Sequence, residues 1–168
     1  MSWIIAGIVL AVPTIHLWLH ALLPWWRKQP FLYYGFGGIL GLGALFLTSK
    51  AEEISPAVLN PTGNLELIGN ILIVIGAIAV LSSIVTLGPK RFFMWAVFYP
   101  DSVEQRRVKG GIIKYIPHPA YFGYLTAAVG NLLSSGQLYL VGILVWVVIL
   151  TPIVIKFEEE ELTTRARS

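Results

Sequence analysis

"YIPHPAYFGYLTAAVGNLLSSGQLYLVGILVWVVILTPIVI", Tyr115–Ile155, runs for 41 residues without an Asp, Glu, Lys or Arg. A helix needs roughly 20 apolar residues to cross the hydrocarbon core of a bilayer, so this stretch holds two crossings. Its middle, "NLLSSGQL" from Asn131 to Leu138, gathers the Asn, Ser and Gly that close a helical hairpin. Antiparallel helices joined by a short turn bring the start of the first and the end of the second to one face. The expected core of the fold is a hairpin in a membrane.

Three further charge-free stretches lie upstream: Trp3–Trp26, Phe31–Ser49 and Leu67–Pro89. Each suits one crossing. Composition agrees, with 56% hydrophobic residues, 12% charged and a mean hydropathy of +0.74 over 168 residues. Soluble domains run near a quarter charged. The expectation is therefore an all-α integral membrane protein, a single domain over 1–168. About five transmembrane helices are expected, near 3–26, 31–49, 67–88, 117–133 and 137–157. The first apolar run has no basic segment before it and is too long for a cleaved signal, so it is expected to be a retained span. The absence of cysteine excludes disulfides, thiolate nucleophiles and Cys-ligated metals.

Charge placement orients the spans. With the N-terminus outside, the inner loops and tail hold Arg27, Lys28, Lys90, Arg91, Arg106, Arg107, Lys109, Lys114, Lys156, Arg165 and Arg167. The outer loops hold only Lys50, beside Glu52 and Glu53. Basic residues collect on the cytoplasmic side of membrane proteins, so the C-terminus is expected inside a cytoplasmic membrane of prokaryotic type. The formal charge of +3 then reports topology, and nucleic acid is not an expected partner. Trp25 and Trp26 beside Arg27 read as an interfacial belt. The long inner segment Pro89–Lys114 contains the aromatic run Phe92 to Tyr99, too short to span. It is expected to lie in the interface, where it could cover a site opening toward the cytoplasm.

Two features carry weaker chemistry. "GFGGILGLG", Gly35–Gly43, fails as a dinucleotide loop because no strand precedes it and Leu40 takes the last glycine position. Gly37 and Gly41 instead have the spacing of packed membrane helices. His16 and His20 lie one turn apart on the first span. They read either as a metal, haem or substrate pair or as hydrogen-bonding residues against neighbouring helices; no metal is expected, given the lack of Cys or a nearby acid.

Two motifs carry more. In "KYIPHPAYFGYL", Lys114–Leu125, Pro119 suits the first turn of a helix. His118 then falls at or before the N-cap, with Tyr121 and Leu125 rising along the helix. A helix start presents unpaired N–H groups and partial positive charge, a place for a ligand carboxylate. Taken alone, the motif reads equally as an interfacial cap. In "KFEEEEL", Lys156–Leu162, four adjacent carboxylates repel one another beside anionic lipid, a cost that a cationic or hydroxyl-rich ligand offsets. A solvated helix end is the plainer alternative.

Together, a His-Pro-x-Tyr opening one span, a hairpin, and a Glu-Glu pair leaving the next resemble the isoprenylcysteine carboxyl methyltransferase family. That broad group of integral-membrane methyltransferases includes phospholipid methyltransferases. The family pattern is Arg-His-Pro-x-Tyr, a hairpin, then Glu-Glu-x-x-Leu. His118, Pro119 and Tyr121 match its first part, and Glu158, Glu159 and Leu162 its second. The resemblance spans about Gly110–Leu162. Pro117 stands where the family has Arg, and the residues after Leu162, "TTRARS", lack the Phe-Gly-x-x-Tyr that follows in relatives.

The resemblance implies S-adenosyl-L-methionine bound at the cytoplasmic face between the last two spans. It implies His118, Tyr121, Leu125, Glu158 and Glu159 as cofactor-binding residues, with Glu159 as base and His118 as the second catalytic residue. The methyl acceptor would be a membrane lipid or small hydrophobic amine, thiol or carboxylate arriving through the bilayer. Competing expectations are a membrane isomerase or denitrification-accessory protein that holds haem, a sterol-reductase relative binding NADPH, and a non-enzymatic scaffold.

Overall fold

The computed structural model describes residues 11–50, 59–104 and 107–165, together with Gly7 and Glu53. All regular structure among them is helical. Helix α1 is Val12–Ala21, α2 Leu23–Trp26, α3 Pro30–Ser49 and α4 Gly63–Leu87. Two short helices follow, α5 Pro89–Phe92 and α6 Trp95–Phe98, then 3-10 turns at Pro100–Ser102 and Gly111–Lys114. The last two helices are α7, Pro119–Ser135, and α8, Tyr139–Arg165.

Among the described residues, three helices are long and apolar enough to cross a membrane: Pro30–Leu47, Gly63–Leu87 and Tyr139–Thr164. The other two expected spans are not among these three helices. Residues 3–6 and 8–10 of the expected first span lie outside the described residues. What is described breaks at Leu22, where Pro24 removes a backbone donor and its ring would crowd the preceding turn. The fourth, α7, has 17 residues.

The hairpin turn is tighter than the stretch Asn131–Leu138. Helix α7 continues to Ser135, and Gly136 closes it in the left-handed region at φ 67°, with its N–H donating to the Leu132 carbonyl. The turn is thus Gly136–Leu138. Leu59 N–H donates to Gly136 O, which ties the chain ahead of α4 to that end of the bundle. At the other end α8 does not stop before the glutamates but carries all four in its final turns. Pro152 inside α8 leaves the helix continuous, with Thr151 Oγ1 donating to Val147 O beside it.

Glycine packing falls on other residues than expected. A Cβ at Gly35, Gly37, Gly38 or Gly41 would meet nothing within 4 Å, so these four glycines of α3 do not pack against the described chain. The close approach is between α4 and α7. A Cβ at Gly69 would lie 2.6 Å from Gly130 O, and one at Gly123 would lie 2.5 Å from Gly76 O. Gly69 and Gly76, like Gly123 and Gly130, are two turns apart on one face, so two antiparallel helices meet backbone to backbone. In lipid no hydrophobic force draws helices together, and small residues supply the contact instead.

Helix α8 packs on α7 and α1, with Trp146 Nε1 donating to Thr14 Oγ1 at 2.9 Å. Leu150 and Val154 of α8 bury Tyr121 of α7 in one cluster, with Leu17 of α1 against it. A second cluster joins Leu19, Leu23, Trp26 and Tyr33 to Val97 and Phe98 of α6. The aromatic segment after α4 is thereby pinned onto α1–α3, and Tyr34 Oη donates to Phe93 O.

Candidate functional site

Pro119 at the first position of α7 costs no hydrogen bond and aims the helix start at the last turns of α8. His118 is the N-cap residue, and its side chain makes no capping bond to the helix. The first-turn N–H groups of α7 thus have no side-chain cap. One turn further, the Tyr121 hydroxyl donates to Glu158 Oε1 at 2.8 Å and lies 2.6 Å from His16 Nδ1 of α1. His16 and Tyr121 meet edge to face, with ring centroids 5.7 Å apart. His16 Nδ1 is 3.7 Å from Glu158 Oε1.

A second line of contacts runs beside the first. His118 Nε2 lies 3.3 Å from Glu159 Oε1, and His118 Nδ1 lies 3.9 Å from Glu158 Oε2. Arg107 Nη2 reaches both oxygens of Glu159, at 2.5 and 2.6 Å. Burial lowers the His118 pKa from its usual 6.5; Glu159 pulls it up and Arg107 pushes it further down. His118 precedes α7 and lies outside the three long apolar helices.

The four carboxylates fan around α8 because successive helical residues turn by about 100°. Glu158 meets Tyr121, Glu159 meets Arg107 and His118, and Glu161 receives Arg27 Nη2 at 3.0 Å. Glu160 points away, exposed, with Lys156 one turn back at 3.9 Å. Glu158 and Glu161 are the more shielded, at 18% and 13% side-chain exposure, which is affordable only because each has a donor.

Of the residues singled out in the sequence, His118, Tyr121, Glu158 and Glu159 converge. Leu125 is half-buried one turn above Tyr121 on α7, with an apolar side chain that offers no hydrogen bond to the other four. Two participants were not assigned to the site from sequence. His16 was visible as half of a His pair, but nothing in one dimension says which of the two faces Tyr121. Its neighbour His20 stacks on Phe157 instead. Arg107 sits in a basic stretch where Arg106 and Lys109 look alike. Among the described residues no group of three or more His, Asp or Glu is arranged to hold a metal ion.

A family model described as phospholipid methyltransferase matches residues 65–166, more than half of the chain. The chain belongs to the phospholipid methyltransferase family. Its matched part runs from Leu65, in the first turn of α4, through α8, and so includes the glycine-packed pair, the hairpin and all four converging residues. His16, on α1, lies outside it. No curated protein and no solved structure matches the chain. Membership of the phospholipid methyltransferase family makes this a membrane methyltransferase, in keeping with its three membrane-length apolar helices.

Proposed function

We propose that the chain transfers a methyl group from S-adenosyl-L-methionine to a lipid-like or small hydrophobic acceptor at the cytoplasmic face of its membrane. The observation that carries this reading is the meeting of His118 and Tyr121 with Glu158 and Glu159 at one end of the α7–α8 hairpin. The donor set suits the cofactor's chemistry. The uncapped start of α7, His118 and Arg107 suit a carboxylate; Glu158 and Glu159 suit an ammonium group and ribose hydroxyls. Leu125, one turn above Tyr121 on α7, is assigned to the apolar side of the cofactor site. When bound, the cofactor supplies a methyl carbon already activated by a sulfonium sulfur.

The chain's own part is alignment and proton handling. Tyr121 and His118 orient the two carboxylates. Glu159 is the base that takes the proton of an ammonium or thiol acceptor. Both its oxygens are engaged by Arg107, each through one contact, so a second lone pair on each oxygen remains to accept the proton. An acceptor amine, thiol or carboxylate on an apolar body approaches through the bilayer, along helix faces that are exposed and apolar.

The cytoplasmic location rests on the eleven basic residues of the inner segments against Lys50 outside. Arg27, Arg107 and His118 all reach the glutamate end of α8, and the Leu59–Gly136 contact lies at the opposite end, which supports the alternation of spans.

Titration of S-adenosylhomocysteine into the protein in nanodiscs tests the proposal. His118→Ala and Glu159→Gln are expected to weaken binding about tenfold, the effect of losing a charge-assisted hydrogen bond. Wild-type affinity in both variants would remove these residues from the cofactor site.

A further inference from the structure

We infer that His16 is a positioning residue of the methyl-transfer site, acting on Glu158 through the Tyr121 hydroxyl. The inference rests on the cofactor-site proposal above. Residue 16 belongs to a helix outside the family-matched segment, yet its Nδ1 lies 2.6 Å from Tyr121 Oη, 105 positions away in sequence.

Proton count gives the contact a direction. A phenol has one proton and an oxygen that also accepts. With Glu158 ionised, Tyr121 donates its proton to Glu158 Oε1 at 2.8 Å, and the imidazole is then the donor in the short contact to His16. His16 therefore carries a proton on Nδ1. In water a neutral imidazole favours Nε2–H, so this state is imposed by the contact. The result is a chain with one sense: His16 Nδ1–H to Tyr121 Oη, then Tyr121 O–H to Glu158 Oε1. It fixes the hydroxyl torsion of Tyr121 and points its proton at the carboxylate.

The surroundings keep the ring there. Leu17 packs into the Tyr121, Leu150 and Val154 cluster, and Trp146 ties α8 to Thr14 of the same helix. His16 and Glu158 are 21% and 18% exposed in their side chains, so water competes weakly for these bonds. Glu158 thus has one oxygen held by the α1–α7 relay, while its other oxygen faces His118 at 3.9 Å. Losing His16 frees the Tyr121 hydroxyl to rotate and leaves that oxygen held less firmly.

The test uses the full chain in nanodiscs, with S-adenosylhomocysteine as probe and ¹⁵N-histidine NMR as a second readout. His16→Leu keeps apolar bulk and removes the donor; it is expected to weaken binding about fivefold. His16→Asn places an amide N–H near the Nδ1 position and is expected to restore most of the loss. In a Tyr121→Phe background, His16→Leu is expected to add nothing, because the relay is already cut. The NMR spectrum of the unsubstituted protein is expected to show His16 protonated on Nδ1, and Tyr121→Phe to abolish that preference. If Tyr121→Phe and Glu158→Gln weaken binding but His16→Leu does not, or Asn restores nothing, the role of His16 fails while the cofactor site stands. If the effects of His16→Leu and Tyr121→Phe simply add, or the ring is protonated on Nε2 alone, the relay is also overturned. If Tyr121→Phe and Glu158→Gln bind as the wild type does, the cofactor site itself fails, and the role of His16 with it.

Discussion

The Tyr121 hydroxyl donates to Glu158 Oε1 at 2.8 Å across 37 residues of sequence. The bond closes the α7–α8 hairpin at its glutamate end, as Gly136 closes it at the other. A buried carboxylate with a dedicated donor is oriented before any ligand arrives. Tyr121→Phe is expected to weaken S-adenosylhomocysteine binding by about three- to tenfold, since it leaves Glu158 without that donor. Calorimetry on nanodisc-embedded protein reads the change, and unchanged affinity would contradict it.

The four glutamates are expected to be unequal. Glu159→Gln weakens contacts with both Arg107 and His118, whereas the Glu160 side chain is exposed, with Lys156 at 3.9 Å. Exposed pairs of that kind contribute little. Glu160→Gln should therefore bind the cofactor analogue as the wild type does, while Glu159→Gln loses about tenfold. Equal losses would mean that total negative charge matters rather than geometry.

His118 should titrate below its ordinary value of 6.5, because burial disfavours the imidazolium. Glu159→Gln removes the group that pulls its pKa up and should lower it further; Arg107→Gln should raise it. The linkage follows in sign. With the folded pKa depressed, the unfolded chain binds the proton first as pH falls below 6.5, so stability falls with pH until the folded pKa is passed. NMR titration of His118 in the three proteins checks the order, and thermal midpoints of His118→Gln should depend less on pH in that window.

Gly130 packs against Gly69 with no room for a side chain, and a Cβ there would lie 2.6 Å from the Gly69 carbonyl. Gly130→Val should destabilise the bundle by about 1–3 kcal/mol or more, the usual cost of overpacking. Gly41→Val, on α3, meets nothing within 4 Å and should be nearly neutral. Denaturation in mixed micelles compares the two directly.

Reporter fusions after Leu59 and after Ser168 should report opposite sides of the membrane, with the second inside. The basis is the placement of Arg and Lys beside every inner boundary and only Lys50 at an outer one. Two fusions on the same side would mean that a span has been miscounted, most directly at the short α7.

Much of this protein was determined by its sequence alone. Hydropathy marks α3, α4 and α8 because a lipid-facing helix must be apolar all round over a bilayer's thickness, a property each segment carries by itself. The hairpin was also legible, since 41 charge-free residues cannot be one crossing, and antiparallel geometry then obliges His118 and Tyr121 to approach Glu158 and Glu159. What only the tertiary structure decided is which face each helix turns to its neighbours. His16 rather than His20 meets Tyr121, Arg107 holds Glu159 from 52 residues away, and Gly69, Gly76, Gly123 and Gly130 rather than Gly37 and Gly41 bring helices together. In a helix that is apolar all round, the pattern of residues carries no sign of its inner face. Rotation about the axis is set by where small residues let two backbones touch and where buried polar groups find partners, and both depend on the other helices.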